Sequence, residues 1–288
     1  MAAQAGISRF REAATQIVRV DGADIVYRAV GPSTGVPLLA LNHLGANLDN
    51  WDPRMVDALA ADRRVILLGY RGVGRSGGRV RSSIEAMAAD AVAAADALGL
   101  QRFDLLGLSM GGLVAQGIVA REVVAGEGGR IDRLILSSAA PAGGPGVTDM
   151  TRTMVLGTMR ASLSLTDPKT PLFFTRTAAG TTAAREYLGR LRERDTDRDG
   201  AVSLSVIRAQ LAAVHAWGLA SAAGRSPFDG PVLILHGDSD RMIPVANVDA
   251  LAQVFPSASV TVFPDAGHGV VFQYHQDVAV AMRAFLRR

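Results

Sequence analysis

The chain contains no cysteine. Disulfides, thiol nucleophiles and thiolate metal sites are therefore excluded together. Lysine is nearly absent: Lys169 is the only one, and the other basic residues are arginines. No long basic run gathers them, and the formal net charge is only +3. A nucleic-acid partner is not expected from such a pattern. No apolar stretch reaches the roughly 20 residues that a bilayer span needs, and the Ala-rich segment 86–100 is broken by Asp90 and Asp96. Within residues 1–15, Arg9, Arg11 and Glu12 interrupt any continuous apolar core, so no secretory signal is read there. These absences predict a soluble, cytoplasmic protein without a membrane partner. With 288 residues, 49% apolar and 20% charged, the chain can build one large α/β domain with room for an insertion.

Two β-rich segments, 17–20 and 24–30, open the chain around a predicted hairpin turn at Asp21-Gly22-Ala23. An apolar run at 37–41, a helix near 51–61 and a buried strand at 64–69 follow. Ser82 with Glu85 has the spacing of a capping box, and apolar positions 84, 87, 91, 92, 95 and 98 give the next helix one buried face. Strand 103–106, helix 112–122 and strand 130–137 continue the rhythm. Strands alternating with helices predict a mostly parallel sheet of about eight strands with helices on both faces. The alternation lapses across 140–226, where three or four helical patterns occur without a convincing strand. It resumes at 231–235 with a helix at 245–254, a strand at 259–263 and a last helix at 272–287. The expected organisation is a core of residues 1–139 and 227–288 with residues 140–226 inserted as a helical cap over one end of the sheet.

Gly107-Leu108-Ser109-Met110-Gly111 reads G-x-S-x-G at a strand-to-helix junction. A serine on so sharp a turn projects its hydroxyl outward, and the glycines are needed where side chains would not fit. A serine hydroxyl becomes a nucleophile only when a base takes its proton, and that base needs a carboxylate to orient it. Of the five histidines, His43, His215, His236, His268 and His275, only His268 lies between glycines on a loop leading to the last helix. Upstream of it, Asp238 and Asp240 both follow the 231–235 strand as candidate acids.

Taken in order, these motifs resemble the α/β-hydrolase superfamily, in its serine-nucleophile, esterase-like form with an inserted cap. The likeness runs from about Ile17 to the C-terminus. It is carried by His43-Leu44-Gly45, by the Tyr70-Arg71-Gly72-Val73-Gly74-Arg75-Ser76-Gly77 loop, by the serine elbow, by Gly237-x-x-Asp240-x-x-x-Pro244 and by Gly267-His268-Gly269. The resemblance implies Ser109 as nucleophile, His268 as base and Asp240 rather than Asp238 as orienting acid. It further implies an oxyanion hole formed by the amides of Met110 and Leu44, with Gly45 as the fallback for the second donor. Leu44 stands where relatives often have glycine after the histidine, and Gly69 where many carry an acid. No cofactor or metal is implied. Dehalogenases and epoxide hydrolases on related scaffolds use a carboxylate nucleophile, which Ser109 argues against.

The resulting expectation is hydrolysis of a small, fairly apolar ester, with a small molecule as partner and homodimerisation left open. C–C bond hydrolases, lactonases and cofactor-free perhydrolases share the same triad, and a non-catalytic receptor on the same fold is the alternative of another class. His43, Met154, Met159, Phe173, Phe174 and Trp217 are the expected substrate-pocket residues. An acidic substrate would call for a cap arginine, for which Arg160, Arg176 and Arg208 compete. Two further motifs are read as structural. Gly72–Gly77 spells G-x-G-x-x-G without the acidic partner that dinucleotide sites require. Asp195–Gly200 opens like a calcium loop but has Val206 where a bidentate glutamate is needed.

Overall fold

The computed structural model describes residues 9–126 and 128–287. Residues 1–8, part of the stretch read for a leader, lie outside them. Strands β1 (Gln16–Val20) and β2 (Ala23–Val30) form the predicted hairpin. Asp21 and Gly22 both have positive φ, 43° and 76°, as a tight turn matched to strand twist demands. Strands β3 (Leu38–Leu41) and β4 (Val65–Leu68) are buried at every position. Such uninterrupted apolar strands are what a sheet covered on both faces selects. Between them, α1 (Pro53–Leu59) starts on Asp52, whose carboxylate accepts the Arg54 amide, with proline in the first turn.

Helix α2 (Ile84–Ala97) is capped by Ser83, which accepts the Ala86 amide. The cap is therefore one residue later than the Ser82–Glu85 spacing suggested. Strand β5 (Phe103–Leu108), helix α3 (Met110–Val124) and strand β6 (Ile131–Ser137) continue the alternation. Four helices then intervene: α4 (Met150–Leu163), α5 (Lys169–Phe173), α6 (Ala178–Leu191) and α7 (Leu204–Leu219). The core closes with β7 (Val232–Gly237), α8 (Ala246–Val254) and β8 (Ser259–Phe263). The expected single last helix is two, α9 (Val270–Gln273) and α10 (His275–Leu286). They part at Tyr274, whose φ of −109° and ψ of 37° leave the helical range, and whose hydroxyl donates to the Pro264 carbonyl.

The eight strands form one sheet in the order β1-β2-β4-β3-β5-β6-β7-β8, with only the pairs made by β2 antiparallel. Helix α2 packs on α3 and α1 on α10, so that helices cover both faces. Gly69 ends β4 with its amide on the Val26 carbonyl, and a Cβ there would lie 2.8 Å from that oxygen. An acidic side chain has no room at this point.

The cap helices are fastened to the core by charge. Arg190 on α6 forks onto Asp52, the α1 cap, at 2.7–3.1 Å. Arg194 donates to the carbonyls of Phe10, Arg11 and Ala13. In the segment between α6 and α7, Asp197 accepts the Thr15 amide, while Asp199 accepts the amides of Leu48 and Arg75. Asp197 and Asp199 of the calcium-like motif thus bind backbone, and Asp197 also pairs with Arg75 and Arg194. Gly74 completes that joint: a Cβ on it would lie 2.4 Å from the Asp199 Oδ1. Gly72 and Gly74 also have positive φ, so the G-x-G-x-x-G letters have a steric origin.

Candidate active site

Three loops at the C-terminal ends of parallel strands converge above the sheet, where open α/β sheets place their ligands. Ser109 sits between β5 and α3 at φ 55° and ψ −120°, a region non-glycine residues avoid and in which strain of about 1–3 kcal/mol is normally held by surrounding structure. The holding contacts are tight. A Cβ on Gly107 would lie 2.4 Å from the Gly111 carbonyl oxygen, and one on Gly111 would lie 2.2 Å from the Leu41 oxygen. The Ser109 amide is tied to the Ser137 carbonyl at 2.8 Å.

His268 follows β8, and Asp240 follows β7. The Ser109 Oγ lies 2.7 Å from His268 Nε2, and His268 Nδ1 lies 2.7 Å from Asp240 Oδ2. With Nδ1–H donating to the carboxylate, Nε2 is free to accept the serine proton. The other oxygen of Asp240 accepts the Met242 and Ile243 amides at 2.8 and 3.0 Å. Burial would raise the Asp240 pKa, but His268, His236 and the Ile243 amide outweigh it and hold the group below its usual value. Asp238 points elsewhere, accepting from Ser239 Oγ and the Ala266 amide. Geometry therefore separates the two candidate acids in favour of Asp240. His236 also approaches Asp240, at 3.5 Å, with its Nε2–H directed to the Ile243 carbonyl. Burial presses its pKa down, so it stands beside the acid as a neutral ring.

Around the serine, neither the Met110 nor the Leu44 amide has a hydrogen-bond partner among the described residues. The Gly45 amide does: it donates to Gln210 Oε1 at 2.8 Å. Gln210 comes from α7 of the cap, is fully buried, and leaves its own Nε2 without a partner. His43 is buried with Nδ1 directed to the Leu44 carbonyl at 2.8 Å and Nε2 unpartnered. Burial, opposed by that carbonyl and aided by nearby His268 and Lys169, lowers the His43 pKa to about 3. It is thus a neutral ring at neutral pH.

Residues 36–273 match the family described as alpha/beta hydrolase fold. The chain is an α/β-hydrolase. A non-heme chloroperoxidase of Streptomyces lividans is 27% identical over 280 residues, 93% of this chain and 97% of that protein. The dihydrolipoyllysine-residue acetyltransferase component of the acetoin cleaving system of Pseudomonas putida is 28% identical, spanning 99% of this chain and 73% of its own. Among solved structures, an alpha/beta hydrolase fold protein from Chitinophaga pinensis superposes with a TM-score of 0.89 at 31% identity, covering 97% of this chain and 99% of that one. The Ser109–His268–Asp240 arrangement makes the hydrolase an enzyme of the serine-triad kind.

The hydrolase is closed over its nucleophile: Ser109 and His268 are each 2% exposed. Phe173 supplies the cover. Its ring centroid lies 5.8 Å from that of His268 and 4.8 Å from that of His43, and its carbonyl accepts the Gly269 amide at 2.8 Å. The other expected pocket residues part company. Phe174 packs on Tyr187 inside the cap. Trp217 is half-buried and donates to the Ala140 carbonyl, and Met154 is also half-buried. Met159 is 58% exposed on the outer side of α4. Gln210 was not singled out by sequence, where a lone glutamine in an apolar helix reads as a surface residue. No helix among the described residues is long and apolar enough to cross a membrane.

Proposed function

We propose that the hydrolase cleaves a small, fairly apolar carboxylic ester through an acyl-enzyme on Ser109. The supporting observation is the unbroken relay Ser109–His268–Asp240 beside two unpartnered amides. In this reading Ser109 Oγ attacks the ester carbonyl as His268 Nε2 takes its proton. The oxyanion is held by the Met110 and Leu44 amides, since the Gly45 amide is already used by Gln210. His268 then protonates the leaving alcohol. Water enters, gives its proton to His268, and releases the acid and the free serine. His43, Phe173 and, farther out, Met154 and Trp217 would line the substrate space. Residues 140–226 serve as the cap, the location is cytoplasmic and the partner is the substrate itself.

The chloroperoxidase name of the Streptomyces lividans relative favours a second reading. Hydrogen peroxide in place of water would intercept the same acyl-enzyme and leave as a peracid, with the electron count unchanged.

Labelling by a fluorophosphonate probe tests the common step. An adduct on Ser109, together with loss of p-nitrophenyl acetate hydrolysis by at least about 10⁴-fold in Ser109→Ala, is expected. A folded protein that takes no label would instead be a binding protein on this scaffold. Peracid formation from the ester and peroxide would separate the second reading from the first.

A further inference from the structure

The outer wall of the cap carries a groove of about 500 Å³ between α4, α5 and the loop after β7. Its apolar lining is unusually bare: Leu156, Met159 and Leu163 are 54%, 58% and 86% exposed. The floor is set where α4 and α5 touch, since a Cβ on Gly157 would lie 2.3 Å from the Leu172 side chain. Arg160, Arg176 and Arg241 line the same groove, and none of them forms an ion pair with any described residue. Among the described residues, Arg241 donates to the carbonyls of Pro171 and Phe174. Its pKa is lowered first by burial and then by the guanidiniums of Arg176 and Arg160, with Asp240 opposing them.

We propose that this groove is a binding site for a single-chain amphiphilic carboxylate, distinct from the catalytic centre. The chain would lie on Leu156, Met159, Leu163 and Leu172, and the carboxylate among the three guanidiniums. The Arg241 guanidinium is repelled by those of Arg176 and Arg160, and a planar carboxylate accepts paired N–H bonds from such forks while offsetting that repulsion. The volume falls within the roughly 300–1,000 Å³ of small-molecule sites. A second copy of the chain is a poorer occupant, because a twofold contact across this face would set one arginine cluster against its own image. The phenylalanine that covers His268 is on α5, so the groove and the catalytic centre lie on opposite sides of one short helix.

Titration calorimetry with decanoate below its micelle concentration tests the site, and it needs no turnover, so it stands whether or not the ester-hydrolase reading does. Saturable binding near one per chain is expected. Arg160→Gln and Arg176→Gln, both on exposed side chains, should each weaken it about two- to fivefold, as for an exposed ion pair. Added salt should weaken it further, and each methylene removed from the chain should weaken it by up to about fourfold. Decylammonium should bind far more weakly. Affinity unchanged in both arginine variants, equal affinity for decylammonium, or binding seen only with anionic vesicles would each overturn the proposal. So would an effect of decanoate that tracks dimer dissociation in sedimentation.

Discussion

The two edges of the cap are joined to the core in opposite ways. Along α6 and the segment after it, buried charge makes the joint: Arg190 on Asp52, Arg194 on three carbonyls, Asp197 and Asp199 on amides of the core. Along α4 and α5 the ties are few backbone bonds, such as Gly269 to Phe173, while apolar side chains and unpaired arginines face outward. Lifting the first edge would break several charge-assisted hydrogen bonds together, among them the Arg190–Asp52 fork and the Arg194 bonds to three carbonyls. Lifting the second exposes a few apolar contacts and breaks a handful of bonds that water can replace. The polar ties are therefore concentrated on one side, and Phe173, which covers His268, belongs to the side held mainly by apolar contact.

The largest effect should come from Asp52→Ala, which leaves Arg190 without its carboxylate and removes the α1 cap. A loss of about 3–5 kcal/mol in urea denaturation is expected; a loss under about 1 kcal/mol would show that the α6 edge is no firmer than the other. Acid should act next. His43 is neutral in the fold down to about pH 3 but titrates near 6.5 when unfolded. The unfolded chain then binds more protons, so stability should decline as pH falls from about 6.5 toward 3, and His43→Gln should flatten part of that slope. His236, shifted the same way, contributes in the same sense.

Gln210→Leu probes the cap from inside. Freed from its acceptor, the Gly45 amide no longer fixes the loop bearing Leu44, and turnover should fall by about tenfold, the equivalent of one hydrogen bond. KM should change little, and Gln210→Glu should restore part of the rate; a uniform rise in KM would mean the glutamine touches substrate instead. Phe173→Ala should accelerate labelling of Ser109 several-fold while costing less global stability than Asp52→Ala, as measured by parallel melts. Leu165→Ser, at a side chain 95% exposed, should stay within about 0.5 kcal/mol of the parent. A larger loss would mean that the α4 edge is covered in solution.

The core was legible because its signals are local. Apolar runs fixed β3, β4 and β5, and the glycines around Ser109 announced their own steric need. The acid was legible only through the family motif: Asp238 and Asp240 share a loop and a composition, the Gly237-x-x-Asp240-x-x-x-Pro244 spacing favoured Asp240, and the direction of the side chains agrees. What escaped depends on helix rotation and on long-range docking. Gln210 meets Gly45 across 165 positions, and nothing in a window around either residue signals the contact. Met159 and Phe173 look alike as apolar cap residues, yet one faces solvent and the other faces His268. The break at Tyr274 was hidden because the apolar pattern runs on across it.

The joint between Gly74 and Asp199 bears on how such enzymes diversify. A cap is an attractive cassette for exchange between relatives, because its two ends enter the core between neighbouring strands β6 and β7. Here the cassette has a third attachment. Its middle segment fills space that only glycine at 74 leaves open and satisfies amides at 15, 48 and 75. This cap, transplanted without Gly74 and its surroundings, would arrive with aspartates that have nowhere to dock, so moving it to another core means moving those core positions with it.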